Sequence, residues 1–243
     1  MDKNQEETIA KMRESIQKLG SSSEGFEDLS LMRFLIVRSM DASKAAKMFV
    51  EWQKWRASFV PLGHIPESEI RDELDAKKVY LQGRSRNGHS LMILKVNKHF
   101  PSKDQLHFKK FMVHLMDKTI ASSIRDNAIG NERSIALVDM EEMSYKNIDI
   151  RGAITGIQIL KAYYPERLAK LYMINMPGFF ARAWGLISRI LEKSSLEKVV
   201  FVKNEEERRE MIRNIGEEVL PKEYGGQAKL VLLQHFSSPL LDN

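Results

Sequence analysis

The first sixty residues carry hydrophobic positions at helical spacing. The pattern predicts three helices, over 6–19, 29–38 and 42–59. Asp41 stands immediately before the third, where its side chain can cap the helix N-terminus. The stretch PLGHIP at 61–66 ends the periodicity. The sequence therefore predicts a small all-helical N-terminal domain, residues 1–62.

From residue 79 onward, short apolar runs alternate with longer helical stretches. The predicted strands are a weak one near Val79, then Leu91–Val96, Ser134–Asp139, Leu171–Met176 and Val199–Val202. The predicted helices cover about 104–125, 147–163, 177–191 and 205–215. Nearly continuous apolar strands are typical of a parallel sheet covered by helices.

These elements predict an α/β domain over 63–235, with a mainly parallel five-stranded sheet and a loose tail at 236–243. The stretch 171–202 reads as strand, crossover helix and strand, which is a βαβ unit. The segment LQGRSRNGH at 81–89 instead resembles a hairpin connection between two strands.

The crossover helix over 177–191 is apolar on most of its sides. Its large apolar residues include Phe179, Phe180, Trp184, Ile187 and Leu191. An ordinary covering helix needs an apolar stripe only about 100° wide. We therefore expect this helix to meet apolar surface on more than one side, although an ordinary buried crossover helix is the alternative.

Composition is that of a globular protein, with 43% hydrophobic and 29% charged residues in 243. No apolar run approaches the ~18 residues of a membrane-spanning helix, and the polar N-terminus has no signal-peptide core. The chain has no Cys, which excludes disulfides and Cys-based chemistry. A cytoplasmic location is the expectation.

Charge is concentrated in one window. The whole chain carries +5, but residues 77–118 hold ten Lys and Arg against Asp104 and Asp117. Such a patch attracts phosphate, on an anionic membrane or on nucleic acid. The candidate membrane-docking residues are Lys95, Lys98, Lys103, Lys109 and Lys110. A solvated face without a partner is the plain alternative.

Motifs of the common enzyme classes are missing. The sequence has no GxxxxGK[ST] or GxGxxG phosphate loop and no GxSxG nucleophile elbow. The histidines at 89, 99, 107 and 114 do not have the spacing of a zinc site. We therefore predict neither an enzyme nor a metal protein.

Three motifs together resemble the CRAL-TRIO family of lipid carriers. They are LMRFLIVRSMDASKAAKMFVEWQKWR at 31–56, YYPERLAKLYMINMPGFF at 163–180 and LPKEYGG at 220–226. They follow the family's order at about its spacing. The resemblance implies a lipid cavity beneath the 177–191 helix, which would act as its gate.

The resemblance also implies a headgroup site. Glu166, Ser195 and Lys198 stand at the positions where phosphatidylinositol carriers of the family bind an inositol phosphate. Arg38 matches an Arg of the same site, whereas Ser39 replaces a Lys. Lys supplies a point charge to phosphate, and Glu accepts hydrogen bonds from sugar hydroxyls.

A second headgroup site of the family uses two hydroxyls on the strand at 134–139. Ser134 matches one of them, but Ala136 replaces the other, so choline-lipid binding is doubtful. The resemblance implies a monomeric phospholipid-binding and transfer protein, with phosphatidylinositol as the bound lipid and no other cofactor. Two alternatives stay open: a carrier of a tocopherol, retinoid or sterol-like ligand, and a nucleic-acid or protein-binding module with a filled core.

Overall fold

The computed structural model describes residues 2–123 and 133–236. Its first helices are α1 (Lys3–Lys18), α2 (Asp28–Val37) and α3 (Ala42–Phe59). They share a core of their own around Phe49, which is fully buried. Asp41 caps α3 as predicted, because its Oδ1 accepts a hydrogen bond from the Lys44 amide at 2.9 Å.

The described residues form one five-stranded sheet. Its strands are β1 (Val79–Arg84), β2 (Ser90–Lys95), β3 (Ser134–Asp139), β4 (Leu168–Ile174) and β5 (Val199–Phe201). They lie side by side in chain order, and each pair is parallel except β1 with β2. The predicted hairpin and the mainly parallel α/β fold are confirmed.

Helices cover both faces of this sheet. They are α4 (Arg71–Asp75), α5 (Gln105–Ser123), α6 (Ile150–Tyr163), α7 (Phe180–Ile187), α8 (Lys193–Leu196) and α9 (Glu205–Ile215). The prediction for α9 agrees with its observed bounds. The predicted end of α5 at 125 lies outside the described residues.

The helix predicted over 177–191 is shorter in the structure. Pro177 and Gly178 form a turn whose carbonyls accept from the amides of Phe180 and Ala181. After Ile187 the chain tightens into a 3-10 turn over Ser188–Ile190, and Leu191 is extended, with φ −86° and ψ 138°. The predicted bounds were wrong because the apolar run includes the turns that flank the helix.

The two faces of the sheet are packed differently. On one face, Leu91, Ile93 and Leu137 are fully buried beneath α9 and the segment around Tyr224. On the other face, towards α5, α6 and α7, Val79, Leu81, Ala136 and Met173 are buried. The remaining apolar residues of this face are only partly buried: Met92, Leu94, Val138, Leu171, Val199 and Phe201. Interior side chains are normally close-packed, so this second face is covered loosely where these six residues lie.

The LPKEYGG motif forms a tight turn after α9. Gly225 has φ +94°, and a Cβ on Gly226 would lie 1.8 Å from the Leu220 carbonyl oxygen. Only glycine fits these two positions. The turn holds Tyr224, whose hydroxyl donates to Asp139 Oδ2 at 2.9 Å, so the motif is tied to the end of β3.

The domain boundary at 62 and the loose tail stay predictions. Val60 and Ile65 belong to a core cluster that includes residues of α5 and β1. At the other end, Phe236 packs against the same cluster. Residues 237–243 of the predicted tail lie outside the described residues.

Candidate functional site

Glu166 lies in the turn between α6 and β4, with an unusual backbone. Its φ is +53°, in the left-handed region that favours glycine. A side chain there costs roughly 1–2 kcal/mol, so the surrounding structure must hold it. The carboxylate is mostly enclosed, since the side chain is 20% exposed.

Lys198 and Arg133 both contact this carboxylate. Lys198 Nζ lies 3.4 Å from each carboxylate oxygen, and Arg133 Nη2 lies 3.2 Å from Oε2. Each of the three residues comes shortly before a strand: Arg133 before β3, Glu166 before β4, Lys198 before β5. Because these strands are parallel neighbours, their amino ends meet at one edge of the sheet. Ligands of open α/β sheets commonly bind at the opposite, carboxyl edge.

Ser195 lies in the same turn as Lys198. The Lys198 amide donates to the Ser195 carbonyl at 3.2 Å, which closes the end of α8. No hydrogen bond of the Ser195 hydroxyl is found in the described part of the chain. The backbone thus places Ser195 and Lys198 in one turn, and a role of the Ser195 hydroxyl in the headgroup site stays a prediction.

Arg38 follows the end of α2 and is exposed. Its charge acts on Glu192, just before α8. The pKa of Glu192 is lowered, first by its hydrogen bond with Lys161, then by the charge of Lys161 and more weakly by Arg38. Within residues 2–123 and 133–236, Arg38 makes no hydrogen bond or ion pair with Glu166 or Lys198. Of the predicted headgroup residues, the structure brings Glu166 and Lys198 into contact.

Sequence reasoning missed Arg133 and Arg33. Arg133 lacks a motif, and its only signal is its position directly before a predicted strand. Arg33 is 5% exposed and donates from Nη1 to the Glu166 carbonyl at 3.4 Å. A charged residue within the apolar run LMRFLIV was the available signal, because buried Arg is uncommon without a partner.

Ser134 is buried at the start of β3. Its hydroxyl donates to the Arg167 carbonyl at 3.1 Å. Ala136 follows on the same face of the strand and has no polar side-chain atom. The candidate second headgroup site therefore has one hydroxyl, which already donates to the backbone.

Aromatic rings at the start of α7 and on its inner side pack against their surroundings, and Trp184 reaches the loosely covered part of the sheet. Phe179 stacks on Tyr145 with ring centroids 4.3 Å apart, and Trp184 meets Phe201 edge-on at 5.2 Å. Phe180 is buried, whereas Ile187 and Leu191 are partly buried. The other side of α7 and the turn after it expose apolar surface, with Leu186 51% and Ile190 36% exposed. The described residues supply apolar contact for the inner side of α7 only, so contact on a second side stays a prediction.

Several lysines of the candidate docking set are paired with acids from distant parts of the chain. Lys95 pairs with Glu223 at 2.6 Å, and Lys110 pairs with Glu69. Lys98 donates to the Tyr80 hydroxyl at 2.8 Å. Among the described residues, Lys103 and Lys109 have no acidic partner. The patch therefore carries less unpaired positive charge than the count of charged residues in 77–118 indicates.

Two neighbouring grooves of about 330 and 290 Å³ lie between the 58–72 segment and the start of α5. Their lining residues include Glu69, Leu106 and Lys110 but none of the predicted headgroup residues. In the described part of the chain, no group of three or more His, Asp or Glu could hold a metal ion. Nor is any described helix long and apolar enough to cross a membrane.

A mainly parallel α/β sheet, a loosely covered apolar face and a charged site at its amino edge define a class of lipid-binding fold. The family model for the CRAL/TRIO domain matches residues 74–226. The chain belongs to the CRAL-TRIO family, whose members bind and transfer lipids.

Similar proteins support this membership. The chain is 25% identical over 249 residues to the Sec14 cytosolic factor of Schizosaccharomyces pombe, covering 94% of this chain and 84% of that protein. It is 26% identical over 251 residues to the CRAL-TRIO domain-containing protein YKL091C of Saccharomyces cerevisiae, covering 95% and 80%. The crystal structure of Sfh5 shares the fold, with a TM-score of 0.61 and 18% identity over 74% of this chain and 68% of that one.

Proposed function

We propose that this protein binds one molecule of phosphatidylinositol and exchanges it at membranes. The observation that carries the proposal is the Glu166 carboxylate between Lys198 and Arg133, at one edge of a loosely covered apolar sheet. A headgroup would bind at the charged edge while the acyl chains lie against the apolar face.

The chemistry of the site suits an inositol phosphate. Lys198 and Arg133 would bind the phosphate, since ammonium and guanidinium groups both donate charge-assisted hydrogen bonds. Glu166 would accept hydrogen bonds from inositol hydroxyls. The Ser195 hydroxyl, one turn before Lys198, would add a donor to the phosphate, and Arg38 would add charge at the rim.

The acyl chains need extensive cover. Exposing a two-chain lipid to water costs about 0.8 kcal/mol per CH₂, on the order of 20 kcal/mol for roughly 30 such groups. The partly buried side chains between the sheet and α7 would supply apolar surface for these chains. Movement of α7 would then admit and release the lipid.

Docking would use cations without acidic partners. Lys103 and Lys109 are the strongest candidates, and Lys98 adds an exposed charge, whereas the pairs of Lys95 and Lys110 reduce their contribution. Each cation near an anionic surface contributes about 1 kcal/mol. We also assign the exposed side of α7 to the membrane, because Arg182 and Arg189 flank its apolar residues without any acid between them.

The proposal describes a monomeric, non-enzymatic carrier. The relative from Schizosaccharomyces pombe is called a cytosolic factor, and we extend that location to this chain, with transient association at membranes. Bound lipid is the ligand, and neither another cofactor nor nucleic acid takes part.

Native mass spectrometry after incubation with a whole-cell lipid extract tests this function. A one-to-one adduct at the mass of phosphatidylinositol is the expected result. An adduct without phosphorus would instead favour a tocopherol, retinoid or sterol-like ligand. Ser39 and Ala136, which replace residues of the family's headgroup sites, are the features that keep this alternative open. A protein with no adduct would have a filled core and would contradict lipid transport.

Substitutions test the headgroup assignment directly. Glu166→Ala combined with Lys198→Ala is expected to abolish phosphatidylinositol transfer between vesicles while the fold remains intact by circular dichroism. The matched control is Lys193→Ala with Glu197→Ala, which removes the same charges from exposed positions of the neighbouring turn. Unchanged transfer by the first variant would remove Glu166 and Lys198 from the site.

A further inference from the structure

The turn that carries Glu166 is contacted by the N-terminal helices. Trp55 of α3 stacks on Tyr163 with ring centroids 3.7 Å apart and an interplanar angle of 6°. Phe59 stacks on the same indole at 5.5 Å. Tyr163 is the last residue of α6, so this stack fixes the point from which the Glu166 turn begins.

The next residue, Tyr164, is tied to the same helix through Asp117. The guanidinium of Arg56 holds the Asp117 carboxylate with two contacts, at 2.9 and 2.8 Å. The Tyr164 hydroxyl donates to the same carboxylate at 2.8 Å. Burial, followed by the charge of Asp117, raises the pKa of Tyr164, so the hydroxyl keeps its proton and remains a donor.

Glu166 itself is contacted through its backbone. Arg33 of α2 donates from Nη1 to the Glu166 carbonyl at 3.4 Å. Two N-terminal helices thus reach the segment 163–166, whose last residue has a φ of +53°. A non-glycine residue keeps this conformation only where its surroundings hold it.

We propose that helices α2 and α3 form part of the headgroup site, with Trp55, Arg56 and Arg33 as positioning residues for Glu166. The inference rests on the proposed function, in which Glu166 binds the headgroup. Without these contacts the turn relaxes, and the carboxylate moves away from Lys198 and Arg133. The apolar face, which is built by other elements, still takes up acyl chains. The N-terminal helices therefore control which headgroup is bound rather than whether a lipid is bound.

Trp55→Ala separates this role from a general packing role. The matched control is Trp52→Ala on the same helix, because Trp52 packs within the N-terminal core against Phe26, Phe34 and Phe49. Trp55→Phe is the conservative variant that retains a ring for stacking. Native mass spectrometry with the whole-cell lipid extract reports two quantities for each variant: the total lipid occupancy and the phosphatidylinositol fraction of that lipid.

Trp55→Ala is expected to lower the phosphatidylinositol fraction roughly tenfold, the scale of losing a group that orients a binding residue, with total occupancy retained. Trp52→Ala should leave the fraction unchanged, and Trp55→Phe should restore it. Equal loss of all lipids in Trp55→Ala and Trp52→Ala would overturn the inference. If Trp55→Ala does not fold, Tyr164→Phe provides the same test, since it removes only the hydroxyl that reaches Asp117.

Glu166→Gln distinguishes a failure of the positioning role of the N-terminal helices from a failure of the headgroup assignment. A lower phosphatidylinositol fraction in Glu166→Gln but not in Trp55→Ala or Tyr164→Phe would overturn the inference and leave the proposed function standing. An unchanged fraction in Glu166→Gln would overturn the headgroup assignment, and the inference with it.

Discussion

Four ionisable side chains form a continuous row of polar contacts near the carboxyl end of β2. Glu73 pairs with Lys78, Lys78 Nζ lies 2.9 Å from His99 Nδ1, and His99 Nε2 lies 3.0 Å from Asp149 Oδ2. A neutral His99 satisfies both neighbours, accepting from Lys78 and donating to Asp149. Asp149 in turn caps α6 by accepting from the Gly152 amide. The proton on His99 Nε2 therefore joins the segment after β2 to the N-terminal cap of α6, the helix that precedes Glu166.

This arrangement predicts acid sensitivity. Burial, followed by the charge of Lys78, lowers the pKa of His99 from its ordinary 6.5. The unfolded chain therefore binds the proton more readily than the folded one, and the free energy of unfolding falls as the pH drops below about 6.5. For this one group the slope is at most about 1.4 kcal/mol per pH unit.

His99→Gln is expected to flatten the dependence of the free energy of unfolding on pH. Urea denaturation between about pH 5 and about pH 7.5, the range in which His titrates, measures this dependence. Burial also lowers the pKa of His89 and His114, so a smaller dependence remains. His64→Gln is the control, since His64 is exposed. An identical slope in His99→Gln and the wild type would contradict the role of His99.

Residue-scale features differ in how far the sequence predicts them. Glu166 stands in the motif at 163–180, and Lys198 stands at a position that the family resemblance implies, shortly before the last strand. The structure brings the two within 3.4 Å of each other. Arg133 could not be predicted, because its role depends on three strands having their amino ends at one edge. The positive φ of Glu166 has no local signal either, since no glycine marks the position.

At the scale of elements, periodicity predicted β3, α3 and α9 with their observed bounds. These elements are bordered by polar or capping residues, such as Asp41 before α3. Helix α7 was misjudged because its flanking turns are as apolar as the helix. The same apolar character leaves Leu186 and Ile190 exposed, which predicts a contact outside the folded chain.

Leu186→Ser with Ile190→Ser is expected to reduce binding to vesicles about tenfold or more, because each buried apolar side chain contributes roughly 1.5–3 kcal/mol. Sedimentation with anionic vesicles measures the effect. Leu29→Ser with Leu19→Ser is the control, since these residues are similarly exposed on the N-terminal helices, at 42% and 44%. Equal binding by both double variants would exclude α7 from the membrane contact.

Charge can be judged only at the scale of the whole molecule. The 77–118 window is strongly basic in sequence, yet Glu69 and Glu223 come from outside it to pair with Lys110 and Lys95. Such pairs join residues that are far apart in the chain, so composition could not reveal them. The charge that remains available lies on residues such as Lys103 and Lys109.

Transfer is therefore expected to rise with the anionic lipid content of the vesicles and to fall with salt, which screens exposed charges. Lys103→Glu with Lys109→Glu should slow transfer to anionic vesicles and leave transfer to neutral vesicles unchanged. The control is Lys11→Glu with Lys18→Glu, an equal change of charge on exposed positions of α1. Salt-independent transfer by the wild type would rule out electrostatic docking.

The unequal packing of the two sheet faces has a thermodynamic consequence. One face is completed by the protein's own side chains, whereas the other, between the sheet and α7, is completed by a lipid in the proposed function. The lipid is then a missing piece of the hydrophobic core, which the unfolded chain does not bind. Stability becomes a function of lipid concentration, with a gain of about 2.7 kcal/mol at one hundred times the Kd. A chain that has given up its cargo is consequently a less stable protein until it is loaded again.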